Sequence, residues 1–173
     1  AYMTEINYKL RKVPKEKILL SPRFGRSQFT ERFMAISFRS GEFEVVPHQA
    51  ILDYLCRHPV VVEKGTVKDK DGKSETVFFV TGNLRSQLLL DFLPKKMTVP
   101  VLMEYPPIPA ETFLREVVER ELLNLSVLAI KHGGYAAALS SLFTLPNLEM
   151  RHSALAPTKE RLSKLAGANR REL

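Results

Sequence analysis

The sequence predicts an α+β fold: a small mixed or antiparallel sheet followed by an all-helical C-terminal subdomain. Three observations carry this. Residues 42–105 switch between period-2 and period-3.6 apolar spacing in the order β-α-β-β-α-β, the order of ferredoxin-like folds. Pro106, Pro107 and Pro109 then forbid a regular element, because the residue before each proline is held extended. Beyond them the apolar spacing is helical, with no further strand pattern.

The first element is a basic arm over residues 1–29. Tyr8, Leu10, Val13, Ile18 and Leu19 are scattered among lysines, and Pro14 and Pro22 interrupt any long helix, so at most one short element is expected there. An α+β domain occupies residues 30–105. Met34, Ile36 and Phe38 alternate, which predicts an edge strand over 32–39. Ser40-Gly41 is a turn signal, and residues 43–46 resume a strand. Ala50, Ile51, Tyr54 and Leu55 share one face of a helix over 48–57, which Pro59 ends. A β-branched strand begins at Val60. Asp71-Gly72 is a hairpin turn, and the returning strand covers 76–81. Asn83 caps a helix carrying Leu84, Leu88 and Phe92 that stops before Pro94. Residues 97–105 form a last strand, which Pro100 marks as an edge or bulged strand. Right-handed crossovers place both helices on one face of the sheet.

Residues 106–110 are a stiff proline-rich linker and a domain boundary. The helical subdomain spans 111–173. Its first helix, 111–132, carries a broad stripe that includes Phe113, Leu114, Val117, Val118, Glu121 and Leu122. Its first turns are acidic, Lys131 and His132 close it, and Gly133-Gly134 stops it. Shorter helices follow over 135–143, 147–155 and 158–165.

The net charge is +7, and its distribution is uneven. Residues 1–27 hold seven Lys/Arg against two Glu, and residues 151–173 hold six against two. The intervening residues are neutral or acidic on balance. Clustered cations release counterions from a polyanion, so the two ends are the expected electrostatic footprint of nucleic-acid binding. The candidate contacts are Lys9, Arg11, Lys12, Lys15, Lys17, Arg23 and Arg26 at one end. At the other they are Asn147, Arg151, His152, Lys159, Arg161, Lys164, Arg170 and Arg171. A solvated terminus that keeps the chain soluble is the plain alternative.

Two helices separated by a three-residue break at Thr144-Leu145-Pro146 resemble the helix-turn-helix of bacterial regulators, with Ala136, Ala137 and Ala138 permitting close approach. Thr144 stands where glycine is usual, and an α-hairpin packed on the long helix fits the same pattern. Phe78 and Phe79 lie on a strand of the type whose aromatics stack bases in RNA-binding sheets. Adjacent residues point to opposite faces, so only one of them is able to stack, and core packing is the stronger reading of the pair. Residues 51–62 look like the first helix of a winged-helix domain, but the two helices that should follow are lacking.

Catalytic signals are weak. His48, His58, His132 and His152 have no metal-ligand spacing, and no Walker, G-x-S-x-G or G-x-G-x-x-G motif occurs. Asp53, Glu63 and Lys64 are the residue types of a Mg²⁺-dependent nuclease, but such types are common on any surface. Cys56 reads as a structural thiol; a single cysteine allows neither an intrachain disulfide nor an all-cysteine zinc site. No apolar run approaches the ~20 residues of a membrane helix, and no signal-peptide core opens the chain, so a cytoplasmic location is the default expectation. The leading expectation is a cofactor-free nucleic-acid-binding protein, DNA ahead of RNA, regulatory in role. The alternative is a non-catalytic adaptor or subunit of a larger bacterial assembly, docking or self-associating through helix 111–132.

Overall fold

The computed structural model describes residues 5–25, 31, 43–127, 158 and 160. Five strands form one mixed sheet: β1 (Asn7–Pro14), β2 (Ile18–Leu20), β3 (Val60–Lys68), β4 (Ser74–Gly82) and β5 (Thr98–Tyr105). Their order is β1-β5-β3-β4-β2. The pairs β1/β5 and β3/β4 are antiparallel; β3/β5 and β2/β4 are parallel. Among the described residues the α-helices whose bounds are seen are α1 (His48–Arg57), α2 (Leu84–Leu88) and α3 (Phe113–Val127). The molecule is thus an α+β fold.

Strand alternation sorts side chains onto two faces. On the first face Val60 and Val62 of β3 join Val80 of β4, Val99 and Val101 of β5, and Val13 of β1. Ile51 and Leu55 of α1 and Leu84 of α2 cover them, so the main core lies here. Val60, Val62, Val80 and Leu55 are fully buried, each contributing about 1.5–3 kcal/mol of apolar burial. On the second face a smaller cluster forms from Phe24, Ile108, Phe113 and Val117. Phe24 meets Phe113 edge-on, with ring centroids 5.3 Å apart. Ile108 belongs to the proline-rich linker, so that linker is packed rather than suspended between two bodies.

Several expectations hold at the level of single elements. The helix over 48–57, the hairpin from Val60 to Gly82 and the strand ending at Tyr105 stand where local periodicity predicts them. Gly72 takes φ +75° at the hairpin tip, a conformation that disfavours a side chain. Others need correction. Residues 43–45 form a 3-10 turn, with Glu44 and Val45 exposed, so the first strand of the ferredoxin-like order is not formed.

The supposed arm supplies two strands instead. β1 and β2 sit at the two edges of the sheet, where lysines flanking an alternating run are tolerated because one side of the strand faces water. Pro100, expected at an edge, lies in β5 between β1 and β3. It is accommodated because β3 pairs with β5 only from Val101 onward, so no ladder partner stands beside it on that side. The predicted strand 32–39 and what is predicted beyond Val127, the helix-turn-helix included, lie outside the described residues apart from Thr158 and Glu160, of which Glu160 is helical.

Candidate nucleic-acid interface

The charges of the two faces have separate fates. On the second face Glu63 is buried, and Arg23 Nη1 donates to both of its oxygens at 3.0 and 2.9 Å. Arg23 Nη2 donates to the Ile108 carbonyl, and the guanidinium lies 4.1 Å from the Phe113 ring centroid. Glu104, also buried, accepts from Arg120 at 2.7 and 3.3 Å, and Glu116 stands 3.7 Å from the same guanidinium. Burial works to lower the affinity of Arg120 for its proton, but Glu104 outweighs it and the net shift is upward. Glu121 of α3 accepts from the Leu84 N–H at 3.3 Å, so it caps the start of α2 from another element. Burial pushes its carboxyl above the usual carboxylate range.

The open part of the first face behaves differently. Beyond the cover of the helices, the sheet carries a cleft of about 340 Å³ lined by Arg11, Lys12, Val13, Lys64, Thr76, Phe78 and Met103. Arg11, Lys64 and Thr76 are exposed; Lys12 also borders the cleft, but alternation along β1 turns its side chain to the other face, so two cationic side chains and no carboxylate face the concavity. Hairpin register sets Lys64 directly opposite Phe78. Lys9 lies on β1 opposite Met103, so alternation puts it on the same face as Arg11. Phe78 is half-buried: it packs against the main core and also lines the cleft. Phe79 faces the other way and lies over Gly65, so closely that a Cβ on Gly65 would overlap its ring. The rule that adjacent aromatics diverge therefore holds, and core packing and site lining meet in the one residue Phe78.

The sequence-predicted contacts divide accordingly. Arg11 lines the cleft and Lys9 shares its face, whereas Lys12 borders the cleft with its side chain turned to the other face. Lys15 Nζ donates to the Leu93 carbonyl at 2.6 Å, and Lys17 pairs with Glu75 across the β2/β4 edge. Arg23 is the internal clamp just described. These three are engaged within the fold rather than grouped with the cleft. Arg26, Asn147, Arg151, His152, Lys159, Arg161, Lys164, Arg170 and Arg171 lie outside the described residues. Sequence reasoning missed Lys64, Thr76 and Met103 as lining residues. The hairpin turn and period-2 alternation would have put Lys64 and Phe78 side by side, but the approach of β1 across β5 has no local signal.

The carboxylates of the nuclease reading do not converge. Glu63 is buried against Arg23 on the second face, whereas Asp53 sits on α1 over the first and accepts from Gln49 at 3.0 Å. Among the described residues no three His, Cys, Asp or Glu side chains come together as a metal site. Cys56, read as structural, is exposed. No described helix is long and apolar enough to cross a membrane. No protein-family model, curated protein or solved structure matches this chain.

Proposed function

We propose that this protein binds nucleic acid, with DNA the expected partner and regulation the expected role, and that the cleft on the open half of the sheet is one of its contact surfaces. The reading rests on one observation: Arg11 and Lys64 converge on a concavity whose lining has no carboxylate. Cations with no internal counter-charge at hand attract phosphates and release their counterions. The C-terminal cations Lys159, Arg161 and Lys164 supply a second contact in this reading, with helix 147–155 or 158–165 meeting groove or backbone.

The test is binding of the full chain to labelled DNA at a series of salt concentrations. The expected log-log slope is about −0.9 per phosphate contacted on a duplex. Arg11→Ala with Lys64→Ala should flatten it by about two contacts' worth, and Ala at Lys159, Arg161 and Lys164 should flatten it further. Lack of binding at low salt removes the reading.

A second reading, a non-catalytic subunit of an assembly, is favoured by the outer side of α3. Leu122, Leu123 and Val127 are 58%, 65% and 74% exposed there. Light scattering separates the two: a monomer with nucleic-acid affinity supports the first, and a stable oligomer without that affinity supports the second.

A further inference from the structure

We propose that the cleft accepts an unpaired base of single-stranded nucleic acid, with Phe78 as its stacking surface and Arg11 and Lys64 holding the flanking phosphates. This rests on the nucleic-acid reading above and narrows it to a substrate class.

Shape is the first argument. Duplex grooves are read by convex elements, a helix or a two-stranded ribbon inserted into them. A concavity receives rather than inserts, and the bases of a duplex are held inside its stack. A cleft of about 340 Å³ is at the lower end of small-ligand pockets, a scale suited to one nucleobase.

The second argument is composition. The lining joins one aromatic ring to the cations of Arg11 and Lys64 on the same face, the pairing of stacking platform and charged groove that binds single strands without sequence preference. Lys64 is the cross-strand partner of Phe78, so a phosphate on Lys64 and a base on the ring are neighbours. Thr76 brings the one side-chain hydroxyl of the lining, too little to read a base edge, so tolerance of sequence follows.

The convex alternative, the β3/β4 hairpin tip, is electrostatically poorer. Lys68, Lys70 and Lys73 are offset there by Asp69 and Asp71, and the Asp69 carboxylate is already occupied by the N–H groups of Asp71 and Lys73 at 2.9 and 2.8 Å.

The experiment compares labelled oligothymidylate, oligouridylate and a duplex of equal length on the full chain by fluorescence anisotropy. The single strands are expected to bind at least about tenfold more tightly than the duplex. Phe78→Leu should weaken single-strand binding about 5- to 150-fold, the range of one lost stacking contact, with the salt slope unchanged. The chain has no Trp, so Phe78→Trp places a single tryptophan in the cleft, excited selectively over the tyrosines at the red edge of their absorption. Its emission should be quenched on adding either single strand. Thr76→Glu, an exposed position that leaves the core untouched, should weaken binding if Phe78 variants fold poorly.

Preference between the thymidylate and uridylate arms assigns the strand to DNA or RNA, and binding of either supports the inference. Duplex binding equal to or stronger than single-strand binding, an unquenched Trp, or an inert Thr76→Glu overturns it while leaving the nucleic-acid reading in place. Failure of all three oligonucleotides to bind at low salt removes that reading itself.

Discussion

On the face toward α3, Glu63 and Glu104 are withdrawn from water and each is held by an arginine through two hydrogen bonds. On the open half of the opposite face, Arg11 and Lys64 stand in water, with no ion pair to any described residue. The two faces share the same strands, and alternate residues of β3 supply both: Glu63 to one, Lys64 to the other. The difference teaches which charges are structural and which are available. A buried carboxylate demands a partner because its desolvation is costly. An exposed lysine makes no such demand, so a cluster of cations without carboxylates is held apart against its own repulsion and is readily discharged by an anion.

The comparison breaks most sharply at Arg23. Arg23→Ala leaves Glu63 buried and unpaired and should cost about 3 kcal/mol in urea denaturation, the lower end of the range because the arginine side chain is 25% exposed. A loss below about 1 kcal/mol would show that the clamp is not structural. Gly65→Ala forces the Phe79 ring aside on the same face and should cost about 1–3 kcal/mol. Unchanged stability there would mean that the ring moves freely.

Glu121 sharpens the contrast through pH. Its carboxyl is raised by burial, so the folded state holds the proton more tightly than the unfolded chain does. Its contribution to stability is greatest in acid and is lost as pH rises from the ordinary carboxylate value through the raised one. Glu121→Gln keeps an oxygen for the Leu84 N–H and does not titrate. The difference in stability between variant and parent should therefore shift in favour of the variant across that window, measured by denaturation at a series of pH values. A difference independent of pH refutes the assignment. The smallest effect is expected at the cleft: Arg11→Ala and Lys64→Ala should each change stability by no more than about 0.5 kcal/mol. A larger loss would make them structural, like Arg23.

Much of the architecture is legible along the chain. Helix α1 follows from Ala50, Ile51 and Leu55 at helical spacing, and the β3/β4 hairpin follows from alternation on both sides of Asp71-Gly72. The start of α2 at Leu84 was readable from Asn83, although the mechanism differs. Asn83 adopts φ +55° and makes no side-chain cap bond, and the capping oxygen comes from Glu121. β1 and β2 were not legible because an edge strand needs apolar side chains on neither face in full, and lysines between them mask the alternation. The candidate site was half legible. Arg11 and Lys12 were marked by charge alone, but so were Lys15, Lys17 and Arg23, whose partners are inside the fold.

Composition and periodicity by themselves determined the α+β class, the central hairpin, the helix preceding it and the excess of cations at the N-terminal end. Those properties depend on residues within a turn or two of one another. Tertiary structure decided which cations remain available, because Arg23 meets Glu63 at a separation of 40 residues and Lys15 meets the Leu93 carbonyl at 78. It also decided that β1 lies beside β5, which brings Arg11 across the sheet toward Lys64 and Phe78. A charge is local, but its counter-charge is chosen by packing.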